Sequence, residues 1–284
     1  MPDTPDLPPI VGPSGLSAID GVVPCDVRWY LDGRSGREAY DAGHLPGAVF
    51  VDLDEHLAAK ASSAVGRHPM PTAAAFAASM GALGVGHDDP VVAYDDAGGM
   101  AAGRLVWMLR TLGRPAALLD GGIYAWDGPL EVESTVRPPV EVPVAEWPVG
   151  ALATIDEVAA VASSPGGTVL DARSAERYRG EVEPVDPRAG HVPGAVNAPF
   201  AGNLVAEGPD AGRFLSPDRL ADRYRGLGVK DASTTVAYCG SGVSACHDLL
   251  AMEHAGLGRG RLFVGSWSQW SNAERPAAIG PEPR

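Results

Sequence analysis

The sequence predicts an α/β protein that contains two copies of one domain, each a parallel sheet with helices on both faces. Three observations lead to this prediction. The chain has 284 residues, which is enough for two hydrophobic cores. Short apolar strands alternate with helical segments along it. Finally, the chain contains an internal repeat, in which residues 83–85 and 92–94 match residues 227–229 and 236–238 at one fixed offset.

The elements of the first copy follow from apolar runs and the turn residues that bound them. Strands are predicted over 22–27 and 90–94, and helices over 72–83 and 99–112. In the second copy, Thr154 and Glu157 form a capping box, and Ser216 before Pro217 begins another helix. Strands are predicted over 168–171 and 234–238, and a helix over 245–256.

Between the copies, several prolines with little periodicity predict a linker. We therefore predict a first domain over residues 1–130, a linker over 131–150 and a second domain over 151–284.

Composition and charge exclude several classes of function. The net charge of −14 repels nucleic acid and anionic membranes, so neither is an expected partner. No apolar stretch approaches the about 20 residues that cross a bilayer. The first nine residues lack a basic and an apolar segment, and three cysteines are an odd number, so we predict a cytoplasmic protein. No metal or organic cofactor is expected, because no ligand cluster or nucleotide-binding loop is present.

Cys239 is the candidate nucleophile. It follows the apolar strand over 234–238 and precedes a loop of small residues and then a helical segment. Backbone N–H groups of such a loop, together with a helix N-terminus, stabilise a thiolate. The alternative interpretation is a small buried hydrophobic residue. The loop residues expected to surround a bound substrate are Gly240, Ser241, Gly242, Val243, Ser244 and Ala245.

The duplication provides an internal control, because residues present in both copies serve the shared fold. Asp95 stands in the first copy where Cys239 stands in the second, so the first copy lacks the thiol. Cys25 and Cys246 are expected to be small buried hydrophobic residues. Residues present in both copies, and therefore expected to be structural, are His44 with His191, Asp26 with Asp171, and Arg28 with Arg173. For Asp171 with Arg173, a supporting role at the site of Cys239 is the alternative.

These features together resemble the tandem-domain rhodanese family of sulfurtransferases. The resemblance covers the repeated strand–loop–helix unit, the two His–apolar–Pro–Gly–Ala turns and the closing residues 265–270. It implies two rhodanese-like domains, of which the first is inactive. It also implies that Cys239 takes a sulfane sulfur from a small donor, holds it as a persulfide and passes it to an acceptor. The implied acceptor is cyanide or a thiol, either a small thiol or a thioredoxin-like protein.

The loop after Cys239 is similar to that of the 3-mercaptopyruvate sulfurtransferases, which have a threonine at the place of Ser244. Thiosulfate-type members have an arginine and a lysine where Gly240 and Ser241 stand here. The resemblance therefore implies mercaptopyruvate as the donor, with thiosulfate:cyanide transfer as the alternative main activity.

Cleavage of mercaptopyruvate leaves a pyruvate enolate that needs a proton. The resemblance implies a relay of Ser241, His68 and Asp54 for it.

The donor carboxylate needs a cation, and the resemblance implies two arginines after the first strand of the second domain. Arg177 matches the first of them, and a guanidinium can bind a carboxylate through two parallel hydrogen bonds. Val185 stands at the expected place of the second. Two possibilities follow: Arg188 substitutes from a shifted position, or the pocket has one cation fewer.

Two other classes of protein remain as alternatives. Related dual-specificity phosphatases have an arginine at the sixth position after the cysteine, where this chain has Ala245, so phosphate binding is disfavoured. A non-catalytic binding module would retain the fold without the chemistry, and the intact loop at Cys239 argues against it.

Overall fold

The computed structural model describes residues 7–283 and divides into two compact units. Each unit is discontinuous in sequence. The first unit contains the residues up to Ala59, Met70–Pro148 and Glu207–Arg213. The second contains Lys60–Pro69, Val149–Ala206 and the residues from Phe214 onward. Segment 60–69, from the first half of the sequence, therefore belongs to the second unit.

The first unit is built on a five-stranded parallel sheet. Its strands are β1 (Ile10–Val11), β2 (Val23–Asp26), β3 (Val49–Phe50), β4 (Val91–Tyr94) and β5 (Ala116–Leu119). The order is β1-β5-β4-β2-β3, with β4 in the middle. The strands predicted over 22–27 and 90–94 are confirmed and correspond to β2 and β4. All residues of β2, β4 and β5 are buried, as expected for a parallel sheet covered by helices.

The helices of the first unit are α1 (Pro13–Ser17), α2 (Gly36–Ala42), α3 (Leu53–His56), α4 (Ala73–Ala82) and α5 (Ala102–Thr111). The helix predicted over 72–83 is confirmed as α4, and Thr72 is its N-cap, since its hydroxyl accepts the Ala75 N–H at 3.1 Å. The helix predicted over 99–112 begins three residues later, because the chain before α5 wraps around the Asp95 carboxylate.

The second unit is built on a four-stranded parallel sheet. Its strands are β6 (Thr168–Asp171), β7 (Val196–Asn197), β8 (Thr235–Tyr238) and β9 (Arg261–Leu262), in the order β7-β6-β8-β9. The predicted strand over 168–171 matches β6, and the one over 234–238 matches β8. The prediction of an α/β chain with two parallel sheets is confirmed.

The helices of the second unit are α6 (Ile155–Ala162), α7 (Ala175–Arg179), α8 (Pro217–Gly226), α9 (Ser244–His254) and α10 (Ser266–Asn272). The capping box at the start of α6 is confirmed in both directions, because the Glu157 carboxylate accepts the Thr154 N–H at 2.8 Å and the Thr154 hydroxyl accepts the Glu157 N–H at 3.3 Å. Ser216 caps α8, and Pro217 is its first residue.

Residues that occur in both copies make the same contacts in both units. His44 stacks on Tyr40 and His191 stacks on Tyr178, with ring centroids 3.8 and 3.7 Å apart. Each histidine Nδ1 lies 2.8 Å from the backbone oxygen of the same tyrosine. The buried pairs Asp26–Arg28 and Asp171–Arg173 are each joined at 2.6 Å. These repeated buried contacts support the structural role expected for the six residues.

Part of the segment predicted as a linker packs on the first unit. The Val140 N–H donates to the Gly81 oxygen at 2.9 Å, and Arg137 Nε donates to the Gly84 oxygen at 2.8 Å. The Trp147 ring packs on Phe76. Within the described residues 7–283, none of the helices has the length and apolarity needed to cross a bilayer.

Candidate active site

Cys239 directly follows β8, which lies inside the four-stranded sheet between β6 and β9. Ligands of parallel α/β sheets bind at the carboxyl ends of such strands. The residue is 2% exposed. Gly240, Ser241 and Gly242 form the loop that follows, Val243 is the N-cap of α9, and Ser244 and Ala245 lie in its first turn. The sulfur therefore lies between the end of a buried strand and the N-terminus of an 11-residue helix.

The loop directs a backbone donor at the sulfur. The Gly242 N–H donates to Cys239 Sγ at 3.1 Å. Gly242 has φ +78°, and a Cβ at this position would lie 2.5 Å from the Val264 oxygen, so glycine is required. A backbone N–H donor and the N-terminus of a helix therefore both lie at this sulfur, and both are features that bind anions in proteins.

The N-terminus of α10 holds the backbone of Cys239 in place. The Ser266 hydroxyl accepts the Cys239 N–H at 3.1 Å and donates to the Phe263 oxygen at 2.9 Å. The Trp267 N–H donates to the Cys239 oxygen at 2.9 Å. Ser266 has φ +52°, and it is the one non-glycine residue with positive φ in the described part of the chain. Such a conformation persists only where surrounding contacts enforce it.

Sequence reasoning missed Ser266, although the repeat contains a signal for it. Gly122 occupies the matching place in the first copy and has φ +57°. The Ile123 N–H donates to the backbone oxygen of Asp95 there, as the Trp267 N–H donates to the backbone oxygen of Cys239. Ser266 adopts a backbone conformation that glycine adopts in the other copy. A serine at such a position therefore indicates that its hydroxyl has a role.

Ser241 and His68 are brought together within the second unit. His68 Nδ1 lies 2.8 Å from Ser241 Oγ, and both residues are buried. His68 belongs to segment 60–69, which Gln269 ties to the second unit by donating to the Ala64 oxygen at 2.6 Å. Asp54 belongs to the first unit, where its carboxylate accepts the Trp29 indole N–H at 2.9 Å.

The two predicted arginines have different environments. Arg177, on α7, pairs with Glu183 at 2.7 Å, and its Nη1 lies 3.3 Å from the point that a Cβ on Gly240 would occupy. It therefore borders the active-site loop. Arg188 instead donates four of its five N–H bonds to backbone oxygens at the C-terminal end of α10, namely those of Trp270, Ser271, Ala273 and Arg275.

The structure thus does not support the possibility that Arg188 binds the donor. Its guanidinium is occupied by the helix end, where carbonyl groups lack partners within the helix and attract a cation. Sequence reasoning also missed Arg67, which borders Gly240 beside Arg177 and pairs with Asp186. The sequence feature that could have indicated Arg67 is its position directly before His68, a predicted relay residue.

In the first unit the equivalent hollow is filled by a side chain of the protein. The Asp95 carboxylate accepts the N–H groups of Ala97, Gly99, Ala101 and Ala102 at 2.8–2.9 Å. Burial raises the pKa of Asp95, while these four donors oppose that shift. The loop that surrounds a sulfur in one unit thus surrounds a carboxylate in the other. In both units the loop directs backbone N–H groups at the side chain that follows the middle strand.

Comparison with known proteins identifies the family of the chain. The family model of the rhodanese-like domain matches residues 20–128 and again 154–273. A probable 3-mercaptopyruvate sulfurtransferase of Pseudomonas aeruginosa is 43% identical over 267 residues, covering 90% of this chain and 91% of that protein. A putative thiosulfate sulfurtransferase of Mycobacterium tuberculosis is 40% identical, covering 93% of both chains.

Relatives from eukaryotes match over the same length. The human 3-mercaptopyruvate sulfurtransferase is 35% identical, covering 91% of this chain and 88% of that protein. The structure of the 3-mercaptopyruvate sulfurtransferase from Leishmania major superposes with a TM-score of 0.82 at 32% identity, covering 97% of this chain and 77% of that one. The chain therefore belongs to the rhodanese-like family. Within that family it is a tandem-domain protein of the sulfurtransferase type.

Proposed function

We propose that this protein transfers a sulfane sulfur from 3-mercaptopyruvate to a thiol or cyanide through a persulfide on Cys239. The observation that carries the proposal is the position of Cys239, whose sulfur accepts the Gly242 N–H at the N-terminus of α9. The Ser241–His68 pair beside it supports the choice of donor, because a proton must be moved only when the donor leaves as an enolate. Relatives named 3-mercaptopyruvate sulfurtransferase at 35–43% identity support the same choice.

The proposed reaction proceeds in two displacements. The Cys239 thiolate attacks the sulfur of the donor, an S–S bond forms, and the C–S bond breaks with its electron pair left on carbon. The proton of the donor thiol passes through Ser241 and His68 to that carbon, so pyruvate leaves and a charged persulfide remains. In the second step a thiolate or cyanide takes the outer sulfur and restores the Cys239 thiolate. Backbone N–H groups of the loop 240–245 stabilise both anions.

Arg177 binds the donor carboxylate in this proposal, and Asp54 is retained as the third group of the relay. The second domain, residues 151–284, is proposed to be the catalytic one. Residues 1–130 are proposed to form an inactive domain, because Asp95 takes the place of the nucleophile, with 131–150 as the linker.

The acceptor is proposed to be a small thiol or a thioredoxin-like protein. A cytoplasmic location is proposed from the three free cysteines.

Thiosulfate is the second candidate donor, since the relative from Mycobacterium tuberculosis is named for it. The loop argues for mercaptopyruvate, because Gly240 and Ser241 supply no cation for a dianion. Steady-state rates with both donors, measured on one preparation, decide between them. A kcat/KM that is higher for thiosulfate would reverse the assignment.

The test of the nucleophile is replacement of Cys239 by alanine. Incubation of the wild-type protein with mercaptopyruvate should add one sulfur atom to its mass, and Cys239→Ala should neither gain that sulfur nor turn over either donor. Cys25→Ala is the matched control, because burial raises the pKa of the Cys25 thiol to about 12 and leaves it a poor nucleophile. A sulfur adduct on Cys239→Ala would contradict the proposal. A wild-type protein that gains no sulfur from either donor would instead favour a non-catalytic binding module.

A further inference from the structure

We propose that Arg67 is a substrate-binding residue, which together with Arg177 holds the carboxylate of the sulfur donor beside Cys239. This inference rests on the proposed function and names the second cation of its donor site. A Cβ placed on Gly240, the residue after the nucleophile, would lie 2.9 Å from Arg67 Nη2 and 3.3 Å from Arg177 Nη1. Both guanidinium groups therefore border the same point of the active-site loop.

Both arginines have N–H donors that the protein does not use. Arg67 Nε is buried and has no hydrogen-bond partner. Arg177 uses Nε and Nη2 in three hydrogen bonds to Glu183 and Asp186, and none of them involves Nη1, the nitrogen nearer to Gly240. A buried donor without a partner is unfavourable. A carboxylate beside Gly240 would lie next to Arg67 Nη2 and Arg177 Nη1, and guanidinium and carboxylate groups match in geometry.

Asp186 holds the two arginines beside each other. Its Oδ1 pairs with Nη1 of Arg67, and its Oδ2 lies 3.3 Å from Nη2 of Arg177. Glu183 is the second carboxylate of the cluster. Two carboxylates thus balance two guanidinium groups, and the buried pair Asp171–Arg173 leaves that balance unchanged.

The backbone of segment 60–69 fixes the direction of Arg67. Ser62 and Gly66 exchange backbone hydrogen bonds of 3.2 and 2.8 Å, which closes a tight turn. Gly66 has φ +92°, and a Cβ there would lie 2.7 Å from the Gly265 oxygen. His68 directly follows Arg67, and it contacts Ser241. Consecutive residues of one turn therefore provide a cation for the carboxylate and a group for the proton.

The test compares Arg67→Met with Arg179→Met, a matched control on α7 whose guanidinium pairs with Glu181 at the surface. In Arg67→Met the KM for mercaptopyruvate should rise about tenfold or more, with kcat changed much less, because hydrogen bonds to a charged group are lost on binding. Pyruvate should weaken as an inhibitor by the same factor. Both constants should stay at the wild-type value in Arg179→Met.

The amide of mercaptopyruvate, which lacks the carboxylate charge, separates binding from a structural role. Wild type and Arg67→Met should use this donor equally well, whereas damage to the loop would slow both donors alike and overturn the inference. Pyruvate affinity measured by calorimetry in the Cys239→Ala background tests Arg67 without any turnover. If no persulfide forms on Cys239, the proposed function alone is refuted. If the pyruvate affinity is unchanged in Arg67→Met, the role of Arg67 alone is refuted.

Discussion

The role of Ser266 can be tested with two substitutions that separate its hydrogen bonds from its backbone conformation. Ser266→Ala removes the hydroxyl that joins the Cys239 N–H to the Phe263 oxygen. It leaves a side chain at φ +52°, where residues other than glycine are strained. Ser266→Gly removes the same hydroxyl and relieves the strain, which makes this position equivalent to Gly122 in the first unit.

The magnitudes follow from these contacts. Each buried polar group that loses its partner costs about 1–3 kcal/mol, so the two groups together cost about 2–6 kcal/mol in either variant. Glycine recovers about 1 kcal/mol of backbone strain that alanine retains. The free energy of unfolding should therefore decrease from wild type to Ser266→Gly and further to Ser266→Ala. A folded protein is stable by only about 5–15 kcal/mol, so both losses are measurable.

The assay is denaturant unfolding combined with persulfide formation. Because Ser266 holds the backbone of the nucleophile and not the donor, both variants should lose rate with mercaptopyruvate and thiosulfate by the same factor. Ser163→Ala is the control, since its hydroxyl donates to the Ala159 oxygen at the exposed end of α6. The reasoning would be refuted if Ser266→Ala unfolded at the wild-type denaturant concentration, or if it proved more stable than Ser266→Gly.

Two further predictions concern proton chemistry. His68→Ala should lower kcat with mercaptopyruvate by about 100-fold or more and lower kcat with thiosulfate much less, because only the enolate needs a proton. An equal loss of kcat with both donors, measured in parallel, would contradict the relay. Burial raises the pKa of Asp248 to about 7, well above its unfolded value of about 4. The folded protein therefore binds the carboxyl proton more tightly than the unfolded chain, and the free energy of unfolding gained in this way is present at low pH and is lost as the pH rises from about 4 to about 7. Asp248→Asn should therefore raise the melting temperature more at pH 8 than at pH 5, and an equal change at both pH values would contradict this assignment.

Several parts of the fold could be predicted because the signals lie close together in the sequence. The capping box at Thr154, the buried strand before Cys239 and the glycine-rich loop after it each depend on neighbouring residues. The repeat added a comparison within one chain, which predicted a different role for Cys239 than for the shared histidines and ion pairs. Element ends were less certain, as the later start of α5 shows, because contacts with Asp95 decide where that helix begins.

Arg177 was predicted for the proposed donor site, but the second cation could not be predicted in this way. Arg188 lies close in sequence to the expected place, yet its guanidinium binds carbonyl groups at the end of α10. Arg67 lies more than a hundred residues away, and segment 60–69 brings it to Gly240. Sequence proximity does not say which guanidinium remains available for a ligand, since that depends on the partners that each one finds in the folded chain.

The sequence by itself determined the duplicated α/β architecture, the position of the candidate nucleophile at a strand end and the family to which the chain belongs. Those features depend on local periodicity, capping residues and small residues in one loop. Only the tertiary structure decided that Ser266 supports Cys239, that Ser241 meets His68 and that Arg67 stands beside Arg177. These contacts join residues distant in sequence, and the packing of the whole second unit sets them.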